Sequence, residues 1–106
     1  MNVLVIDAQG GGIGKLLVSA IKASAPAVCV TAVGTNSNAA AAMRKAGADF
    51  TATGENAVLV CTKKADIIAG PVGIVIADSM LGEITPAMAL AIDQSLASRV
   101  LVPISH

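Results

Sequence analysis

Residues 3–23, VLVIDAQGGGIGKLLVSAIKA, read as a strand, a glycine-rich turn and a helix in immediate succession. Val3, Leu4, Val5 and Ile6 form an unbroken apolar run, the pattern of a strand buried on both faces of a parallel sheet. Gly10, Gly11, Gly12 and Gly14 let the backbone turn sharply, and without Cβ atoms they let a ligand come close to the main chain. Ile13, Leu16, Leu17, Ala20 and Ile21 then recur at helical spacing and predict one apolar stripe. A helix that starts above a strand in this way aims unpaired N–H groups at whatever lies over the strand, and that end favours anions.

Downstream, the same alternation repeats. Residues 28–33 (VCVTAV) predict a second strand, and Asn36 or Ser37 is placed to cap a helix over 38–45 that Gly47 ends. A short third strand is expected at 48–53 and a helix at 56–64, although the Val-Leu-Val-Cys centre of that segment also suits a strand. Residues 66–70 (DIIAG) predict a fourth strand ended by Pro71. Residues 72–77 either continue it or start a helix at Gly73, and helix is the reading taken. Thr85 and Pro86 mark a helix start by capping residue and first-turn proline. Met88, Ala91, Ile92, Ser95 and Leu96 are the expected core face of that helix, and 99–104 the last strand, with Pro103 near its end. Strands alternating with helices imply right-handed crossovers. The predicted fold is therefore α/β, a Rossmann-like three-layer sandwich of about five mainly parallel strands with helices on both faces, in one domain spanning 1–106.

Composition narrows the function classes. Seven Lys and Arg balance seven Asp and Glu, which argues against nucleic acid or an anionic membrane as partner. Phe50 is the sole aromatic residue, so the stacking platforms of single-strand binders are missing. No stretch is long and apolar enough for a membrane span. Asp7 interrupts the first apolar run and no basic segment precedes it, so a signal peptide is not expected and a cytoplasmic location is. The chain is 55% hydrophobic before its 10 glycines are counted and only 13% charged, against roughly 45–50% apolar and 25% charged in an ordinary domain. A small monomer covers its surface with charge, so a homodimer or larger assembly is expected; the alanine content offers a small-residue monomer as the alternative. Cys29 and Cys61 lie in apolar runs without a CxxC spacing and are read as buried reduced thiols.

The turn resembles three nucleotide-binding motifs to different degrees. In the dinucleotide fingerprint G-x-G-x-x-G, Gly11 and Gly14 fit but Gln9 takes the first position. Gly14-Lys15 matches the end of a P-loop, yet Gln9 and Leu16 replace its first glycine and its hydroxyl. The best match is the G-x-x-G-x-x-G turn of extended and atypical short-chain dehydrogenase/reductases, present as Ala8-Gln9-Gly10-Gly11-Gly12-Ile13-Gly14. Ala46-Gly47-Ala48-Asp49, Thr53-Gly54-Glu55-Asn56 and Ala65-Asp66-Ile67-Ile68 follow in that family's order, so the resemblance covers roughly residues 2–70. It implies a dinucleotide such as NAD(P), or another nucleotide, as ligand. Three departures limit it: Ala8 replaces the first glycine, Gly34-Thr35-Asn36 carries no acid for a ribose and no Arg for a 2′-phosphate, and no tyrosine exists for the family's Tyr-x-x-x-Lys. Over nearly its full length, through VIDAQGGGIG, ATGENAV and GPVGIVIADSMLGEITPAMA, the chain is also similar to a family of short bacterial proteins that forms a domain of unknown function.

The expected ligand contacts are Asp7, Gln9, Gly10, Gly11, Gly12, Ile13 and Gly14 in the turn, Thr35 and Asn36 after the second strand, and Gly70 after the fourth. Asp7 is the discordant member, because a carboxylate about 4–5 Å from a phosphate costs ~3–4 kcal/mol at an effective dielectric near 20. Lys15 could offset it, although the second helical turn points that side chain to solvent. Three functions remain open: a non-catalytic binder of a nucleotide or another phosphate-bearing small molecule, acting as sensor or regulatory subunit; a small metal-dependent enzyme in which Asp7, Asp78 and Glu83 converge; and an oligomerising module whose glycines serve packing alone. Ser79 lacks a nucleophile context, Met43, Met80 and Met88 read as core filling, and His106 as a frayed tail.

Overall fold

The computed structural model describes residues 1–104, so His106 lies outside the described residues. Strand and helix alternate: β1 (Asn2–Asp7), α1 (Gly12–Ser24), β2 (Cys29–Gly34), α2 (Ser37–Lys45), β3 (Phe50–Thr53), α3 (Glu55–Cys61), β4 (Ile67–Pro71), a 3-10 turn (Val72–Val75), α4 (Pro86–Gln94) and β5 (Ser98–Val102). The strands form one sheet in the order β3-β2-β1-β4-β5, and every pairing is parallel. The chain thus runs outward from β1 to β3, returns to the other side of β1, and runs outward again to β5. The reversal falls between β1 and β4, and open α/β sheets bind ligands at the carboxyl ends of the strands beside such a reversal.

Strand alternation divides β1 between two cores. Val3 and Val5 pack with Val18 of α1 and Met43 of α2. Leu4 and Ile6 pack with Val58 of α3 and with Met88 and Ile92 of α4. All four β1 side chains are buried, as the unbroken apolar run predicts.

Several local expectations shift. On α1, Gly14 and Val18 are the fully buried residues, while Leu16 is 67% exposed and Ala20 also faces out. The helix seats on the sheet through a residue without a side chain, which turns the contact line to Gly14, Leu17, Val18 and Ile21. Residues 55–61 are helical, so the strand alternative fails there, and the helix ends three residues before Lys64. The expected helix from Gly73 is a single 3-10 turn followed by an irregular loop to Thr85. The helix begun by Thr85 and Pro86 stops at Gln94, because Ser95 is extended and its hydroxyl donates to the Thr62 carbonyl at 2.7 Å. Leu96 is consequently exposed, and Ala89, not Ala91, joins Met88 and Ile92 in the core. The last strand ends at Val102, one residue before Pro103. Cys29 and Cys61 are half-buried free thiols lining one groove with Lys64, not enclosed in the core.

Candidate functional site

The register aligns Asp7 of β1 with Gly34 of β2, and Gly34 with Thr53 of β3, so the turns after β1 and β2 open on the same side of the sheet. Residues 8–11 connect β1 to α1, and residues 35–36 connect β2 to α2.

Asp7 is fully buried, and its carboxylate is turned into the β1–α1 turn. Its Oδ1 accepts the Ala8 amide at 2.7 Å and its Oδ2 the Gly14 amide at 2.6 Å. One of the N–H groups that a helix start leaves without a partner is therefore satisfied from below by the preceding strand. The carboxylate expected among the ligand contacts is thus engaged by backbone donors and enclosed by protein.

The glycines divide into two kinds. At Gly14 a Cβ would lie 2.6 Å from the Met43 sulfur and 2.8 Å from the Asp7 Cβ, so its bareness lets α1 sit on the sheet. Gly11 has a left-handed φ of 72°, and a Cβ there would lie 3.0 Å from the Ala39 backbone of α2. Its Cβ position is thus turned to a neighbouring helix. Gly10 and Gly12 have nothing within 4 Å of a Cβ position. Among the described residues no protein acceptor takes the N–H of Gly10, Gly12 or Ile13. Gly70, at the end of β4, is buried, and a Cβ there would collide with the Ile6 carbonyl oxygen, so its bareness serves strand-to-loop packing.

Gln9, Thr35 and Asn36 come together around an acceptor the sequence placed elsewhere. Glu83 Oε1 accepts the Gln9 amide at 2.8 Å, the Thr35 hydroxyl at 2.5 Å and the Asn36 side-chain amide at 2.9 Å. Asn36 also donates to the Gln9 carbonyl at 3.0 Å, while its Oδ1 caps α2 by accepting the Ala39 amide at 2.9 Å. Gln9 adopts a φ of 50°, in the left-handed region that glycine or asparagine usually occupies. The acid that receives these donors lies in a loop 47 residues beyond Asn36. No spacing rule could have joined residues 9, 35 and 83.

The carboxylate trio of Asp7, Asp78 and Glu83 does not form a metal centre. Among the described residues no group of three His, Cys, Asp or Glu side chains is placed to hold an ion. Asp7 is buried beneath the turn, Asp78 is exposed, and Glu83 lies over Gln9. Lys15 is exposed on the outer side of α1, beside Leu16 and Ser19. Ser79 donates its hydroxyl to the Gly73 carbonyl at 2.5 Å.

Comparison with known proteins agrees with this architecture. The model of the family described as Domain of unknown function (DUF3842) matches residues 2–106. Among curated proteins no match was found. Among solved structures, a dodecameric FMN-dependent Ubix-like decarboxylase from Escherichia coli O157:H7 superposes with a TM-score of 0.58 at 21% identity. The match covers 99% of this chain and 69% of the decarboxylase chain. At that identity it is the fold that is shared.

Proposed function

The chain belongs to the DUF3842 family, whose description supplies no activity, and from the site itself we propose that it binds a nucleotide or another phosphate-bearing small molecule without catalysing a reaction. The observation that carries this reading is the pair of open glycines, Gly10 and Gly12. The N–H groups of Gly10, Gly12 and Ile13 have no protein acceptor among the described residues, at a helix start beside the reversal of strand order. Backbone donors at a helix start favour an anion, and bare glycines give it room. A phosphate fits this donor set, and the Asp7 carboxylate beneath the turn faces the Ala8 and Gly14 amides. Thr35 and Asn36, at the end of β2, are the side-chain groups placed to select the rest of the ligand.

The FMN dependence of the similar decarboxylase makes a flavin mononucleotide the first ligand to try, ahead of NAD(P). The reading of a sensor or regulatory subunit rests on the side chains present: Ser79 is tied to a backbone carbonyl, and Asp7 is enclosed below the turn. Assembly of several copies belongs to the same proposal, supported by the low charge and by the dodecameric state of the decarboxylase. No helix among the described residues is long and apolar enough to cross a membrane, and we place the protein in the cytoplasm.

The test is thermal unfolding against FMN, NAD(P), AMP, ADP and sugar phosphates, with native mass spectrometry of the gently purified protein. A ligand at 100 times its dissociation constant stabilises the folded chain by about 2.7 kcal/mol. A panel that shifts no melting temperature, with no co-purified small molecule, refutes the reading in favour of a glycine turn that serves packing alone.

A further inference from the structure

We infer that the Glu83 carboxylate is an internal occupant of an oxyanion site, and that it latches the loop 76–84 closed over the β1–α1 turn. The anion half of this inference rests on the phosphate reading above; the latch does not.

Three donors from two separate connections meet on one carboxylate oxygen: the Gln9 main chain, the Thr35 hydroxyl and the Asn36 side-chain amide. Such a convergence is what a phosphate or carboxylate oxygen of a ligand would require, and here a side chain 74 residues from Gln9 provides it. The loop that carries Glu83 holds its own shape. Asp78 N–H donates to the Ile84 carbonyl at 2.7 Å, Gly82 N–H to Asp78 at 3.1 Å, and Glu83 N–H to Met80 at 3.2 Å. At one end Ser79 is tied to Gly73, and at the other Ile84 is fully buried. Between these anchors Met80 is partly buried against the core, whereas Leu81 at the tip is 97% exposed. Among the described residues, the hydrogen bonds from this loop to the β1–α1 turn and the end of β2 run through Glu83.

Asp78, Met80 and Leu81 have φ values of 67°, 54° and 59°, left-handed conformations that non-glycine residues hold only when the surroundings enforce them. Releasing Glu83 frees the Gln9 amide, the Thr35 hydroxyl and the Asn36 amide together, next to the open N–H groups of Gly10 and Gly12. Ligand entry and loop opening are then one event: an incoming oxyanion replaces the carboxylate, and the loop loses its tie to the turn.

Amide hydrogen exchange without any ligand tests the latch. In Glu83→Ala the amides of Gln9, Gly82 and Glu83's replacement exchange about tenfold faster or more, while those of β1 and β4 keep their rates. Thr35→Val, which removes the hydroxyl that donates to Glu83, gives a smaller rise in the same amides and adds nothing in the Glu83→Ala background. Should Glu83→Ala not fold, Glu83→Leu, which keeps the bulk and removes the acceptor, takes its place in the same measurement. Unchanged exchange at 78–83, or an equal rise throughout the sheet, overturns the latch. The oxyanion half is read by calorimetric titration with inorganic phosphate, where removing the competing carboxylate tightens binding at least tenfold. Equal affinity in both chains overturns that half and leaves the phosphate reading intact. Binding to neither chain overturns it together with the phosphate reading, while the exchange result on the latch stands by itself.

Discussion

The Asp7 carboxylate accepts the Gly14 amide at 2.6 Å, joining the last residue of β1 to the first turn of α1 across seven residues of chain. Because Asp7 is fully buried and also accepts the Ala8 amide, it sets the path of the whole glycine turn. Asp7→Asn keeps the volume but presents an NH2 group to one of two backbone donors. The expected loss is about 1.5–3 kcal/mol in urea unfolding, the range for a hydrogen bond to a charged group with its buried donor left unpaired. For a chain of this size that is a fall in melting temperature of roughly 6–20 °C. An unchanged urea midpoint would show that the turn is held by other contacts.

The layered fold was legible because its evidence is local. Val3 to Ile6 announce a doubly buried strand, Asn36 caps α2, and Thr85 with Pro86 opens α4, each within a few residues of chain. The turn of helix α1 on the sheet was not legible. Leu16 has the right spacing for the core, yet α1 contacts the sheet through Gly14, and only the packed structure shows which side of a helix a glycine brings closest. The site was half legible for the same reason. Gly10 and Gly12 declare themselves, whereas the roles of Gly11 and Gly14 depend on Ala39 and Met43 of another helix. Glu83 reads from the sequence only as one of a carboxylate trio, since its partners Thr35 and Gln9 are 48 and 74 residues away.

Asp49 predicts a defined acid response. The Val30 backbone N–H at 2.8 Å, and after it the Lys22 ammonium at 2.9 Å, hold the Asp49 carboxyl below its usual value. A carboxyl whose folded value is depressed contributes stability that is complete above its unfolded value, and that is lost as pH falls through the folded one. The difference in melting temperature between the native chain and Asp49→Asn is therefore constant above pH about 5 and shrinks progressively below about 4. Thermal scans between pH 2.5 and 7 measure it. A difference that grows toward acid pH would contradict the assignment.

The edge strand β5 predicts assembly. Among the described residues no helix covers its face toward α1, and Val100, 54% exposed, borders a groove of about 410 Å³ with Leu17, Ile21 and Ile67. A chain only 13% charged has little with which to cover such a face. Light scattering after size exclusion at micromolar concentration is expected to give at least twice the chain mass of 10.4 kDa. Val100→Asp, which puts a charge on the groove, is expected to lower that mass toward a single chain. A native protein that elutes at one chain mass removes the prediction and leaves the alanine-rich surface as the account of the composition.

The two kinds of glycine give the sharpest separation between scaffold and site. At Gly14 a Cβ meets both the Met43 sulfur and the Asp7 Cβ, so Gly14→Ala is expected to cost about 1–3 kcal/mol by overpacking. Gly11→Val is expected to destabilise as well, because a φ of 72° strains a branched residue and the Ala39 backbone lies 3.0 Å away. Neither variant can report on binding, since both act on the fold. Gly10→Val and Gly12→Val enter open space, at backbone conformations outside the left-handed region, so the expected change in unfolding midpoint is within about 0.5 kcal/mol. They place a branched side chain beside the N–H groups proposed to hold the phosphate. With whichever nucleotide stabilises the native chain, both variants are expected to keep the native circular dichroism and melting temperature and to lose the ligand-induced rise. A rise of native size in Gly10→Val and Gly12→Val would move the ligand away from the turn. A loss of stability in them as large as that of Gly14→Ala would mean that the whole turn, and not half of it, is a packing device.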